Sequence, residues 1–140
     1  MSATGLDVFD NTLQKTNTWL REIMDELVTE DRHLAYSALR VTLHALRDRL
    51  AVNEAADLGA QLPMLIRGLY YEGWHPADKP HKADLGEFLQ TIRNNVGRGL
   101  GSPDPREIAQ AVFRVLELHV TAGELADVKH CLPADLRALW

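Results

Sequence analysis

Two carboxylates and an arginine recur at the same spacing in each half of this 140-residue chain. Glu54, Asp57 and Arg67 are followed 70 positions later by Glu124, Asp127 and Arg137. Paired carboxylates suit acid–base work or cation binding, and an arginine suits an anion. Scaffold duty explains them more simply. A carboxylate near a helix N-terminus is favoured by about 0.3–1 kcal/mol. A chain corner between each Asp and its Arg would bring the two together. The expectation is therefore two structural ion pairs, Asp57–Arg67 and Asp127–Arg137. A twofold anion site made of Arg67 and Arg137 is the competing reading.

The segment Tyr70-Tyr71-Glu72-Gly73-Trp74-His75 occurs in the first half only. Aromatics with polar handles suit a binding surface. Tyr70, Tyr71, Trp74 and His75, with Trp19, are thus candidate ligand- or partner-binding residues. The alternative is a plug between the halves, with this segment meeting Leu139-Trp140 or the first helix around Trp19.

Other chemistry is weakly signalled. Six histidines are present, and His75, Asp78 and His81 form one loose cluster, His119, His130 and Cys131 another. Neither has paired Cys-x-x-Cys or His-x-x-x-His spacing, so neither a metal nor a cofactor is expected. His44 and His119 read as half-buried spacers. Ser37 and Ser102 lack a Gly-x-Ser-x-Gly context. Gly97-x-Gly99-x-Gly101 follows a helix instead of a strand and lacks the Lys-Ser/Thr of a phosphate loop; it reads as a turn. No enzyme is expected. Arg40, His44 and Arg47 share one helical face, which raises a helix-turn-helix DNA binder. The formal charge of −5, with acids among the bases, argues against nucleic acid, because phosphate contacts need clustered Lys and Arg.

Helices must position all of these residues. Trp19, Leu20, Ile23, Met24 and Leu27 form a three-to-four stripe. Leu39, Leu43, Leu46 and Leu50 form a second, matched at a shift of 70 by Ala109, Phe113, Leu116 and Val120. Leu58, Leu62, Leu65, Ile66 and Leu69 form a third, matched by Val128, Leu132, Leu136 and Leu139. Phe88, Leu89, Ile92 and Val96 partner the first stripe, with Phe88 over Trp19 at a shift of 69. Asp31, Asp84, Asp104 before Pro105, and Thr121 are predicted N-caps. Pro63 and Pro133 each demand a break, since proline inside a helix costs about 3 kcal/mol. Each repeat then reads helix, helix, short helix, Leu-Pro corner, short helix.

A self-similarity at fixed period signals a repeated unit. The predicted fold is all-α: two similar multi-helix repeats packed with approximate twofold symmetry into one helical bundle. The single domain 1–140 divides into repeat one at about 7–72, a linker at 73–83 and repeat two at about 84–140. A composition 46% hydrophobic is enough for one core. Cys131 is the lone cysteine and is expected to be a half-buried structural thiol, in keeping with a reducing compartment. With no signal peptide and no apolar run of the roughly 20 residues a membrane span needs, the expected location is cytoplasmic, with no membrane partner.

The run Glu54 to Trp74, with Asp57-Leu58, Leu62-Pro63, Arg67-Gly68-Leu69-Tyr70 and Gly73-Trp74 in order, resembles an uncharacterised bacterial family, the domain of unknown function 2267. The resemblance covers the chain from about Asp7 to Trp140. It implies a soluble, helical, bacterial protein and transfers no reaction and no catalytic residue. The functional expectation is a non-enzymatic binding or interaction protein, its partner another protein or a second copy in a homo-oligomer. The alternative is a small-molecule or lipid-binding protein with a pocket between the repeats, near Trp19, Tyr70 and Trp74.

Overall fold

The computed structural model describes residues 2–96 and 102–140; the Gly97–Gly101 glycine run lies outside them. Its elements are α1 (Asp7–Leu27), α2 (Arg32–Asp48), α3 (Val52–Ala60) and α4 (Met64–Tyr71). After a 3₁₀ turn at Pro76–Asp78 come α5 (Leu85–Asn95), α6 (Pro105–His119), α7 (Ala122–His130) and α8 (Ala134–Arg137). No strand occurs among the described residues, and none of their helices is long and apolar enough to cross a membrane.

Local chemistry sets the helix starts. Asp31 accepts from Leu34 N, Asp84 from Glu87 N, Asp104 from Arg106 N and Thr121 from Glu124 N. Each bond satisfies a backbone donor that a first turn leaves orphaned. Pro63 and Pro133 occupy the N-cap positions of α4 and α8, where a missing N–H costs nothing. α1 ends less comfortably: Val28 closes it in the left-handed region at φ 52°, fully in solvent.

The core follows the helical stripes. Leu39, Leu43, Leu46, Leu50, Ala109, Phe113, Leu116 and Val120 are all buried and belong to one hydrophobic cluster drawn from every helix. α2 packs on α6 at its centre. α1 lies on α2, α4 and α6; α5 lies on α6, α8 and α2; α3 meets α4 and α7. One stripe residue departs from expectation. Leu65 is 46% exposed, because Leu62, Ile66 and Tyr70 already supply the inward face of the α3–α4 corner.

Candidate functional site

The basic face of α2 is turned onto α4. Buried Arg47 donates from Nη1 to Tyr70 O at 2.6 Å and to Glu72 O at 2.9 Å, and from Nε to Asp48 at 2.9 Å. His44 Nε2 lies 2.7 Å from Leu69 O, and Arg40 pairs with Glu72 at 2.9 Å. His44 and Arg47 therefore cap the C-terminal carbonyls of α4, which also suits the negative end of its dipole, while Arg40 is paired with the Glu72 carboxylate beside them. The three do not form a free phosphate-binding face. Burial pushes the His44 imidazole pKa below its ordinary value; the bond to Leu69 O opposes this, and the cations of Arg47 and Arg40 add to it.

The expected ion pairs are not formed: among the described residues, neither Asp57–Arg67 nor Asp127–Arg137 is joined. Arg67 turns back on the corner itself, donating from Nε to Gly59 O at 2.8 Å and from Nη2 to Ala60 O at 3.3 Å and Leu62 O at 2.8 Å. Carbonyls at the end of α3 lack helical partners, so the guanidinium satisfies them before any distant carboxylate. Asp57 joins a different group. Oxygens of Glu54, Asp57 and Glu124 lie within 4.8 Å of one another where α3 meets α7, and they are the described carboxylates best placed to face a common cation. Desolvation first, then the charges of Glu54, Asp57 and Asp127, raise the Glu124 carboxyl pKa. Cys131 is exposed, a correction to the half-buried thiol, because its neighbour Leu132 is the residue turned inward. Partial desolvation first, then the charges of Glu54, Asp127 and Glu124, push the thiol pKa above its ordinary value.

The aromatic segment packs locally. Tyr70 is fully buried and its hydroxyl donates to Ala55 O at 2.7 Å; burial drives its phenol pKa far upward. Tyr71 packs edge-on against Tyr70, and Trp74 lies 5.4 Å from Tyr71. Tyr71 also lies over Gly59, where an added Cβ would stand 2.7 Å from its Cζ. His75 is exposed. The other two tryptophans stack elsewhere: Trp140 on Phe113 at 4.0 Å and Trp19 on His119 at 4.8 Å. None of Tyr70, Tyr71, Trp74 and His75 lines either groove described next.

Two grooves flank the N-terminal half of α1 where Thr12 Oγ1 accepts from Leu65 N at 2.9 Å. One is apolar, about 530 Å³, between α1, α2 and α4. Leu20, Leu39 and Ile66 form its floor, and Phe9, Tyr36, Met64 and Leu65 its rim, each of the four 42–46% exposed. The other is polar, about 640 Å³, between α1, the Leu62-Pro63 corner and the end of α6. Trp19 lies at its back, and Lys15, Gln61, Arg67 and His119 line it. Sequence reasoning missed the apolar rim, because Phe9 and Tyr36 fall outside the apolar stripes read from the helical spacing. The signal was available in α1, whose residues 7–15 extend past any counterpart in the second half.

The chain belongs to the family described as an uncharacterized conserved protein (DUF2267), whose profile matches residues 16–139. No curated protein matches it.

Proposed function

We propose that this member of the DUF2267 family is a non-enzymatic binding protein whose docking surface is the apolar groove between α1, α2 and α4. A comparison within the chain carries the reading. Tyr36, Met64 and Leu65 correspond, 70 positions on, to Arg106, Ala134 and Asp135, which are also exposed. The second half thus completes the same helices with polar or small residues at these positions, so helix packing does not require the apolar rim. Clustered exposed apolar side chains of this kind mark contact surfaces, here for the apolar face of a protein partner or a second copy. A non-enzymatic role fits the use of the chemistry-bearing groups Arg47, His44 and Tyr70, which bond backbone carbonyls of the scaffold.

The architecture that goes with this reading is a single domain of two repeats, about 7–72 and 84–140, related by an approximate twofold axis between α2 and α6. Several correspondences support it. α3 and α7 have bounds separated by 70 at both ends. α1 packs on α6 as α5 packs on α2. Trp19 stacks on His119 as Phe88 lies under Arg49, at 5.3 Å, and positions 49 and 119 are again separated by 70. A cytoplasmic setting belongs to the same reading, supported by the exposed thiol of Cys131.

The test replaces the rim by its second-half counterparts in one variant, Tyr36→Arg/Met64→Ala/Leu65→Asp. The probe is the neutral apolar dye Nile red, with light-scattering mass measured over a concentration series. The wild type should bind dye saturably and the variant should not, while stability stays within about 0.5 kcal/mol per surface site. Equal dye binding by both proteins would sink the proposal. A second reading, a small-molecule pocket between the repeats, is favoured by the polar groove, which joins α1 and the Leu62-Pro63 corner to His119 of α6.

A further inference from the structure

The polar groove differs in charge from the rest of the surface. The chain carries 20 Asp and Glu against 15 Lys and Arg, yet Lys15, Arg67 and His119 line this groove and no carboxylate does. The other described clefts each include at least one acid. Glu72 lines the apolar groove and Asp104 the hollow at the start of α6, while Asp84, Glu87 and Asp135 line the cleft at the Pro133 corner. That last cleft is the informative control. Gln61, Pro63 and Met64 of the polar groove stand 70 positions before its Cys131, Pro133 and Ala134. The corner geometry therefore does not impose an acid-free lining.

We infer that the polar groove binds a small organic anion, one bearing a carboxylate or a phosphate ester. This deepens the pocket reading and does not depend on the apolar groove. Arg67 is the anchor. Its Nε and Nη2 are held by the carbonyls of Gly59, Ala60 and Leu62 at 2.8–3.3 Å. Nη1 is the guanidinium nitrogen those bonds leave over for the groove. A cation already fixed by the scaffold loses little conformational freedom on binding. Lys15, exposed on α1, adds a mobile second charge. Gln61 adds amide donors, because its Oε1 already accepts from Thr121 N at 3.3 Å. The His119 ring is fixed by its stack on Trp19 and by Glu22, 2.7 Å from Nε2, which leaves Nδ1 as a donor to an anion when the ring is protonated. A groove of about 640 Å³ is in the size range of small-molecule sites.

The experiment is an NMR titration of the full chain at constant ionic strength with citrate, glucose 6-phosphate and, as a neutral control, glucose. Saturable shifts are expected at the Arg67 Nε–H, the Gln61 side-chain amide and the Trp19 indole. They should come from at least one anion and not from glucose, and should weaken as salt is raised. Citrate alone selects carboxylates, and glucose 6-phosphate alone selects phosphate esters. Lys15→Glu, at an exposed site, should leave the urea midpoint in place and weaken binding at least fivefold. Equal shifts from glucose would remove the anion inference and leave the pocket reading standing. No saturable shift at these groups, or shifts unchanged in Lys15→Glu, would overturn the inference.

Discussion

Arg47 should be worth several kcal/mol to the fold, and its neighbour Arg40 almost nothing. Arg47 is 3% exposed, and its guanidinium serves the carbonyls of Tyr70 and Glu72 at the end of α4. A hydrogen bond to a charged group contributes about 1.5–3 kcal/mol, and removing the donor orphans a buried carbonyl. Two such bonds give an expected loss of about 3–5 kcal/mol for Arg47→Ala, roughly a fifth or more of the stability of an ordinary domain. Arg47→Met keeps most of the buried stem and isolates the head group, with a loss of about 2–4 kcal/mol by the same count. Arg40 and Glu72 have side chains 40% and 60% exposed, and an ion pair of that kind contributes about 0–1 kcal/mol. Urea denaturation read by helical circular dichroism separates the cases. With a slope of about 2 kcal/mol per molar, Arg47→Met should lower the midpoint by about 1–2 M and Arg40→Ala by less than about 0.5 M. Leu46→Ala and Leu116→Ala, at buried positions separated by 70, calibrate the scale at about 2–5 kcal/mol each. If Arg47→Met moves the midpoint no further than Arg40→Ala, the α2 cap is not the tie between α2 and α4, and the basic face is free for another role.

Two further outcomes follow from strain and from charge. Val28 is a β-branched residue at φ 52° that is 91% exposed, so Val28→Gly relieves backbone strain without losing burial. It should stabilise by about 1 kcal/mol, read as a rise of about 3 °C in Tm; a fall in Tm would refute the reasoning. The folded-state carboxyl pKa of Glu124 is raised above its ordinary value of 4.5, so its contribution is present below that pH and is lost as pH rises through the folded value. Glu124→Gln should therefore be more stable than wild type at pH 7, and the difference should shrink as pH is lowered toward 4. A variant less stable at pH 7 would show that the carboxylate has a partner there.

Much of the fold was legible in the sequence for local reasons. The four predicted cap side chains, the two Leu-Pro breaks and the inward stripe Leu39–Leu50 depend on backbone donors, proline geometry and helical period, all of which act within a few residues. Partner choice is a different kind of quantity. Arg67 was expected at Asp57 and instead serves the end of α3, because several orphaned carbonyls lie closer to it than any carboxylate. Arg40, His44 and Arg47 showed a basic face in sequence, but only the seating of α4 on α2 decided what that face meets. Trp19 was grouped with Tyr70 and Trp74 by residue type, whereas packing stacked it on His119, a hundred positions away. The two grooves were illegible for the same reason. Each is assembled from helices distant in sequence, and its character depends on which exposed residues the tertiary fold leaves side by side.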